Sequence, residues 1–506
     1  MCMIRTVGFN GSCGEDFFKV AWMYRKRFFS DAIVYSMILA ATLSALSAVA
    51  GGQTLAGRIA GLLTNPQLRG GQVAINLAEL RRGRAVTVYG YHPDLPLMPG
   101  SCAKLLTTSD AFDHLGPHGT LQTRLYRVGN NLVIVGGGDP ALGDPALCRR
   151  VGWKVTTAFD NWARHLKAVG NKTFHNIYVD DYIFNHHFVN PLWPGGGQRL
   201  DWYEASVGGL NFAMNCVQWE PVVNNNGGIG VALTPDTPYT PVTIAAQRGP
   251  QSVWLWRSRG GNHFYMHGTV RRTGQYPMQV TIHDPGLYTG NVLRQSLINH
   301  GITISGQVLR APLSVIAARQ HVQPVLLATY ETPLTAILHR ANTDSINLMA
   351  ECLCKLLGHD ATGQPGSWHN GDQAIKAYLA TLGVAGNWVT MVDGSGLSHH
   401  DQVAPAAFTT VLAHIASEPD GGVFIHSLAR PGHGTLIYRL RGSGIRRYIR
   451  AKDGHVTGAS TISGYMFLPH RHFVFSIMVN HYRGNVNGWE DQVIIALYQW
   501  AVGRLQ

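Results

Sequence analysis

Ser101 and Lys104, in the stretch Pro99-Gly100-Ser101-Cys102-Ala103-Lys104-Leu105-Leu106-Thr107-Thr108, have the types and spacing that nucleophilic chemistry needs. Three residues apart at the opening of a helix, the two side chains fall on one face, one turn apart. A serine hydroxyl is a weak nucleophile at neutral pH. A lysine amine can take its proton once burial or a neighbouring cation lowers the amine's pKa toward the working range. This is the Ser-Lys form of covalent catalysis. Ser-x-x-Lys also arises by chance in long chains, but lysine is scarce here. Only nine occur, at positions 19, 26, 104, 154, 167, 172, 355, 376 and 452, and Lys104 alone has a serine three residues before it.

The elements around the pair suit such a role. Leu55 to Leu63 reads as a short amphipathic helix. Gln72 to Leu80 and Ala85 to Tyr91 are alternating runs joined by Arg81-Arg82-Gly83-Arg84, a hairpin pattern that delivers the chain to Ser101 through His92-Pro93-Asp94-Leu95-Pro96. The apolar helix after Lys104 runs to Gly116. From there to about residue 325 the pattern turns to short β-like runs between Gly, Asn and Pro turns, at Asn131–Val135, Asn176–Asp180, Val231–Leu233, Val242–Gln247, Val253–Arg257, His263–Arg271 and Met278–His283. A helix over Thr289–His300 and a strand over Ile304–Arg310 close this mostly β segment.

From Thr332 the helical period returns. Leu334, Ile337, Leu338 and Ala341 make one apolar face, Asn342-Thr343-Asp344-Ser345-Ile346-Asn347 interrupts it, and Leu348–Leu357 resumes as a helix ending at Gly358. Taken alone, that polar interruption reads as a cap and turn. Helices over Gln373–Leu382 and Ala406–Ser417 flank the glycine-rich loop Asp393-Gly394-Ser395-Gly396-Leu397-Ser398. Strands over Ile449–Gly458, Thr461–Met466 and His472–Asn480 and a helix over Glu490–Val502 end the chain.

With 506 residues, 45% hydrophobic and 14% charged, the chain can bury a large core and hold two or three domains. Met23-Tyr24-Arg25-Lys26-Arg27, the apolar run Ala32–Leu46 and Ala48-Val49-Ala50 read as an export signal cleaved after Ala50, with a retained membrane anchor as the alternative. Removing residues 1–50 takes away five basic and three acidic residues, so the formal charge goes from +12 to +10. A basic exported protein is drawn to polyanionic wall polymers or lipid headgroups. Nucleic acid is disfavoured, because the charge is scattered arginine, densest at Arg439, Arg441, Arg446, Arg447 and Arg450. Five cysteines remain, at 102, 148, 216, 352 and 354, with no regular disulfide framework. No histidine spacing matches a metal motif, and Gly136-Gly137-Gly138-Asp139-Pro140 lacks the Lys-Ser/Thr of a phosphate loop, so no metal and no cofactor are expected.

Ser101-x-x-Lys104, Ser345-x-Asn347 and Lys452-Asp453-Gly454 stand in the order of the three motifs of penicillin-binding proteins and serine β-lactamases. The long gap between Ser101 and Ser345 demands an insertion. With it the chain resembles the D-alanyl-D-alanine carboxypeptidase/endopeptidase family of low-molecular-mass, class C penicillin-binding proteins. Gly136–Pro140, Leu210-Asn211 to Asn215 after Trp202-Tyr203, Asn347–Glu351, Asp393–Ser398 and Gly434-Thr435-Leu436 are similar to that family's landmarks.

The resemblance implies an α/β (α+β) penicillin-binding/serine β-lactamase-like transpeptidase domain. It would be split into residues 51–125 and 326–506 by a mostly β insertion, 126–325. It also implies a serine-type carboxypeptidase that acts on peptidoglycan stem peptides in the periplasm or as a secreted protein, and β-lactams as covalent inhibitors. Ser101 would be the nucleophile and Lys104 the general base. Ser345 would relay the proton to the leaving amine, and Asn347 would hold Lys104 and the substrate amide. Lys452 would supply positive potential, and the backbone N–H groups of Ser101 and His455 would form the oxyanion hole. Asp453 and Gly454 would border the substrate. Asp453 stands where the family usually has Thr or Ser, whose hydroxyl helps bind the substrate's terminal carboxylate. Two like charges about 4 Å apart cost on the order of 4 kcal/mol at an effective dielectric near 20, so an ionised Asp453 would oppose such a substrate unless an arginine such as Arg446, Arg447 or Arg450 pairs with it. Two other classes fit the same motifs. One is a weak or inactive relative that binds wall peptides or a partner, and the other is an esterase or β-lactamase-like hydrolase.

Overall fold

A computed structural model describes residues 54–195, 200–274, 278–442 and 444–503; the export-signal segment, 1–50, lies outside them. The chain divides into two units at Arg58. Of the first, only 54–58 are described; the second, from Ile59 onward, holds the sheets and the site.

Its centre is an antiparallel five-stranded sheet in the order Ile449–Val456, Ala459–Phe467, His472–Asn480, Gln72–Arg81, Arg84–Tyr91. Strands from before and after the long insertion thus meet in one sheet, through pairs that run from Gln72↔Asn480 to Glu79↔Phe473. The inner strands are buried along nearly their whole length, because helices cover both faces of the sheet. The hairpin partner Arg84–Tyr91, at one edge, is half exposed. At the other edge Ile449–Val456 carries the Lys452-Asp453-Gly454 stretch. Helices Lys104–Leu115, Leu334–Asn342, Asn347–Thr362, Trp368–Thr381 and Pro405–Ser417 share one apolar core with this sheet. Leu105, Leu106, Ile337, Met349, Phe408, Val474 and Met478 are among its members.

The long insertion leaves and returns on adjacent strands. Thr120–Val128 and Val325–Pro333 pair antiparallel from Pro333↔Thr120 to Val325↔Arg127, inside a second five-stranded sheet. Entry and exit lie side by side, yet the intervening residues also reach the first core, which includes Phe184, Trp193, Val207 and Met214. The insertion has its own core around Leu132, Phe159, Phe212, Tyr288 and Leu293.

The structure corrects several expectations. The insertion also carries helices that the β-like pattern hid: Pro145–Arg150, Thr157–Ala168 and Leu313–Gln320. The helix expected over Thr289–His300 starts at Pro285, because Asp284 caps it with its carboxylate on the Leu287 N–H at 3.0 Å. The strand expected over Ile304–Arg310 is two short ones, Thr303–Ile304 and Val308–Arg310. Asn176 interrupts them, its side-chain carbonyl accepting the Gln307 N–H at 2.9 Å. The helix expected to stop at Gly358 continues to Thr362 and ends at Gly363, which has φ 65°. Gly358 serves close packing instead, since a Cβ there would lie 2.3 Å from the Asn370 side chain. All five described cysteines are free and buried. Among the described residues no helix is long and apolar enough to cross a membrane.

Candidate active site

Ser101 sits in a single helical turn, Gly100–Ala103, that runs directly into the helix beginning at Lys104. The turn is pressed against the edge strand. Gly100 has φ 49°, and a Cβ on it would lie 2.9 Å from the His455 backbone nitrogen. A Cβ on Gly454 would lie 2.4 Å from the Pro99 carbonyl and 2.8 Å from the Cys102 nitrogen. Two side chains fasten this contact: the Thr461 hydroxyl donates to the Pro99 carbonyl at 2.6 Å, and the Cys102 thiol to the Lys452 carbonyl at 3.1 Å. The backbone of His455 is thereby brought beside the Ser101 turn.

Lys104 is fully buried. Its Nζ lies 2.9 Å from Ser101 Oγ, 2.6 Å from Asn347 Oδ1 and 2.9 Å from the Ser395 carbonyl oxygen. Burial, followed by the Lys452 charge, pulls its pKa down to about 7 against the opposing pull of Glu351 and Asp393. Two of the three neighbours are carbonyl oxygens, which only accept. A neutral amine spends both N–H groups on them, and its lone pair is left facing the one partner that can donate, the Ser101 hydroxyl. The geometry therefore suits removal of the serine proton.

The two acceptors are held from outside the Ser-Lys turn. Asn347 opens its helix and donates through Nδ2 to the Tyr203 carbonyl at 2.8 Å. The Ser395 carbonyl is aimed by Asp393, whose carboxylate accepts the N–H groups of Ser395, Gly396 and Ser398 at 3.0, 2.6 and 2.8 Å and the Trp193 indole N–H at 2.9 Å. Glu351, buried and pushed up to about 7 by burial and then by Asp393, accepts the Gly394 N–H at 3.0 Å. Sequence reasoning missed the Ser395 carbonyl and the Tyr203 carbonyl. Backbone acceptors leave no residue-type signal, and only the Asp-Gly-Ser-Gly pattern marked the first of them.

The remaining expected residues are less tightly joined. Ser345 occupies the turn after Leu334–Asn342 with φ 62°, half-buried. Among the described residues its hydroxyl makes no hydrogen bond to Lys104 or Lys452. Lys452 is fully buried, donates to the Asp453 carbonyl, and stands 3.6 Å from Asp453 Oδ1. His455 Nε2 meets the Tyr482 hydroxyl at 3.2 Å.

For Asp453, pairing with Arg446, Arg447 or Arg450 does not occur. Arg446 donates to the Pro431 carbonyl at 3.4 Å, Arg447 lies over the Tyr448 ring, and Arg450 faces Arg430. Burial alone would raise the Asp453 pKa, but the Lys452 charge, the nearby Thr435 hydroxyl and the Arg439 charge together hold it below its usual value, so the carboxylate is ionised. Arg439 is itself committed to Glu490 at 3.0 Å and Asp491 at 2.7 Å. Asp453 Oδ1 is buried without a hydrogen bond. Among the described residues no group of three or more His, Cys, Asp or Glu is placed to hold a metal ion.

Comparison with known proteins adds three findings. The model of the D-Ala-D-Ala carboxypeptidase 3 (S13) family matches residues 55–501. A D-alanyl-D-alanine carboxypeptidase of Actinomadura sp. (strain R39) is 26% identical over 481 residues, which is 87% of this chain and 84% of that protein. The crystal structure of penicillin-binding protein 4 (DacB) from Haemophilus influenzae superposes with a TM-score of 0.72 at 20% identity, over 87% of this chain and 99% of that one.

Proposed function

Because the chain belongs to the D-Ala-D-Ala carboxypeptidase 3 (S13) family, we propose that it is a serine D-alanyl-D-alanine carboxypeptidase that cleaves peptidoglycan stem peptides through an acyl-enzyme on Ser101. The observation that carries this reading is the placement of Lys104 between two obligate acceptors and the Ser101 hydroxyl. Ser101 Oγ attacks the carbonyl of the penultimate D-Ala while Lys104 Nζ takes its proton. The oxygen that becomes negative is received by the backbone N–H groups of Ser101 and His455, which the Gly100–Gly454 contact brings together. The proton then passes to the leaving amine by way of Ser345, and D-Ala departs. Lys452 keeps the site positive, and water, deprotonated by the same lysine base, Lys104, releases the shortened peptide. Such an enzyme works where peptidoglycan is, in the periplasm or outside the cell. The direct test is release of D-Ala from a peptide ending in Lys-D-Ala-D-Ala. Wild type should release it and Ser101→Ala should not; equal release by both would remove Ser101 as nucleophile.

The Lys104 environment fixes a pH dependence. The neutral amine is the working base, so the acylation rate should rise with pH through about 7 and level off above it. Lys452→Met removes the cation that helps hold the pKa down. The rising limb should then move to higher pH, and an unmoved limb would show that Lys452 does not act on Lys104.

Asp453 sets a second expectation. Its ionised carboxylate sits on the edge strand beside the Ser101 turn, with Oδ1 buried, 3.6 Å from Lys452 Nζ and without a hydrogen bond. Asp453→Thr should therefore raise kcat/KM on a peptide with a free terminal carboxylate by at least roughly tenfold, about 1.4 kcal/mol. The gain should be much smaller on the amidated peptide. Equal changes on both would mean that charge repulsion is not how Asp453 acts.

A further inference from the structure

Beside the Ser345 turn lies a cavity of about 460 Å³ whose lining includes three arginines, Arg150, Arg430 and Arg450, and three histidines, His339, His426 and His433. Its one carboxylate, Asp344, is already engaged by Arg340 at 2.5 Å and lies 3.9 Å from Arg150. Arg430 and Arg450 face each other for a reason set in the backbone. Ala429 and Ala451 form an antiparallel bridge, with the Ala451 N–H on the Ala429 carbonyl at 2.9 Å. The next pair in that register is Arg430 opposite Arg450, and like charges directly opposite are destabilising. Among the described residues neither forms an ion pair with a carboxylate. The Arg450 pKa is lowered by burial and by Arg430.

The histidines add no carboxylate to this. His433 Nε2 meets Arg430 Nη2 at 3.0 Å, and His339 Nε2 meets Arg150 Nη2 at 3.1 Å, so each ring nitrogen accepts from a guanidinium there. His426 spends Nδ1 on the Gly422 carbonyl at 2.6 Å. Guanidinium N–H donors around one open space, two of them on Arg430 and Arg450 with no carboxylate partner among the described residues, call for an oxyanion.

The location says where that oxyanion comes from. Arg450 is two residues before Lys452 on the strand that borders the nucleophile turn, and Asp344 directly precedes Ser345. We propose that this cavity is an oxyanion subsite that holds a carboxylate of the peptide being cleaved, between Arg430 and Arg450, a role that rests on the stem-peptide reading above. With Asp453 making the terminal position negative, the positive charge that orients an acidic peptide lies three residues back along the same strand, at Arg450.

The test uses Arg430→Gln and Arg450→Gln, two peptides ending in D-Ala-D-Ala that differ only in whether an internal carboxyl is free or amidated, and inorganic phosphate as a probe independent of catalysis. Wild type should favour the acidic peptide by roughly tenfold in kcat/KM, the scale of a charge-assisted hydrogen bond. Each variant should lose that preference while turning over the amidated peptide at the wild-type rate. Phosphate should raise the wild-type Tm by about 2 °C and do nothing for the variants, whose Tm without phosphate should not fall because a repulsion is gone. Equal losses on both peptides, or no preference in wild type, overturn the subsite. A phosphate effect lost in the variants without any peptide preference overturns the substrate as the source and points to free or polymer-borne phosphate. An enzyme that cleaves neither peptide contradicts the peptidase reading instead, and the phosphate arm, read from Tm alone, still decides whether an oxyanion binds.

Discussion

Lys104→Arg is expected to slow acylation of Ser101 by at least about 10⁴-fold, the scale seen when one member of a catalytic unit is lost. Arginine stays protonated under any condition in which a protein is folded, so it offers no lone pair to the Ser101 hydroxyl. Lys104→Met should be equally inactive, and it separates loss of the base from loss of the fold. The buried amine has a pKa of about 7 in the folded chain against about 10.4 for a free lysine. Between those values the unfolded chain binds the extra proton, so the lysine weakens the fold more as pH falls and reaches its full cost near 7. Lys104→Met should therefore hold or raise Tm at pH 7, with less gain near pH 10. Acylation by either variant at more than about a hundredth of the wild-type rate would remove Lys104 as the base.

Gly454→Ala is the second large effect, expected to cut kcat/KM by roughly 10²-fold while leaving most of the fold in place. The added methyl would meet the Pro99 carbonyl and the Thr461 hydroxyl at 2.4 Å and the Cys102 nitrogen at 2.8 Å. All three belong to rigid elements, so the edge strand must move off the nucleophile turn by a good part of an ångström. A displacement of about 1 Å between a nucleophile and its electrostatic partners costs on that scale. Because the strand carries both the His455 N–H and Lys452, the loss should fall on kcat more than on KM. Stopped-flow acylation reads this directly, and a variant with wild-type acylation would show that the Gly100–Gly454 contact does not set the oxyanion hole.

How much of this was legible in the sequence differs by element. The hairpin Gln72–Tyr91 and the three last strands alternate or run apolar between clear turns, and they stand where the pattern puts them. Thr157–Ala168 was missed although its buried Ala158, Phe159, Trp162, Ala163 and Leu166 keep a helical period. The surrounding turn-rich chain drew attention to strands. Gly358 was misread because a glycine after an apolar helix signals a cap by default, whereas here it admits a neighbouring helix. At the site, the scarcity of lysine pointed to Lys104, and the structure buries Lys104, Lys355 and Lys452 completely. What the sequence could not supply were the Ser395 carbonyl that meets Lys104 and the route by which Arg430 comes opposite Arg450. Both depend on pairings between segments distant in the chain.

Catalysis by this route requires a covalent intermediate at Ser101, and peptide-level mass spectrometry after incubation with a saturating β-lactam reads it. One adduct per chain, located on Ser101 and absent from Ser101→Ala, is the predicted result. An adduct at another residue, or wild-type protein left unmodified by a saturating β-lactam, would contradict it.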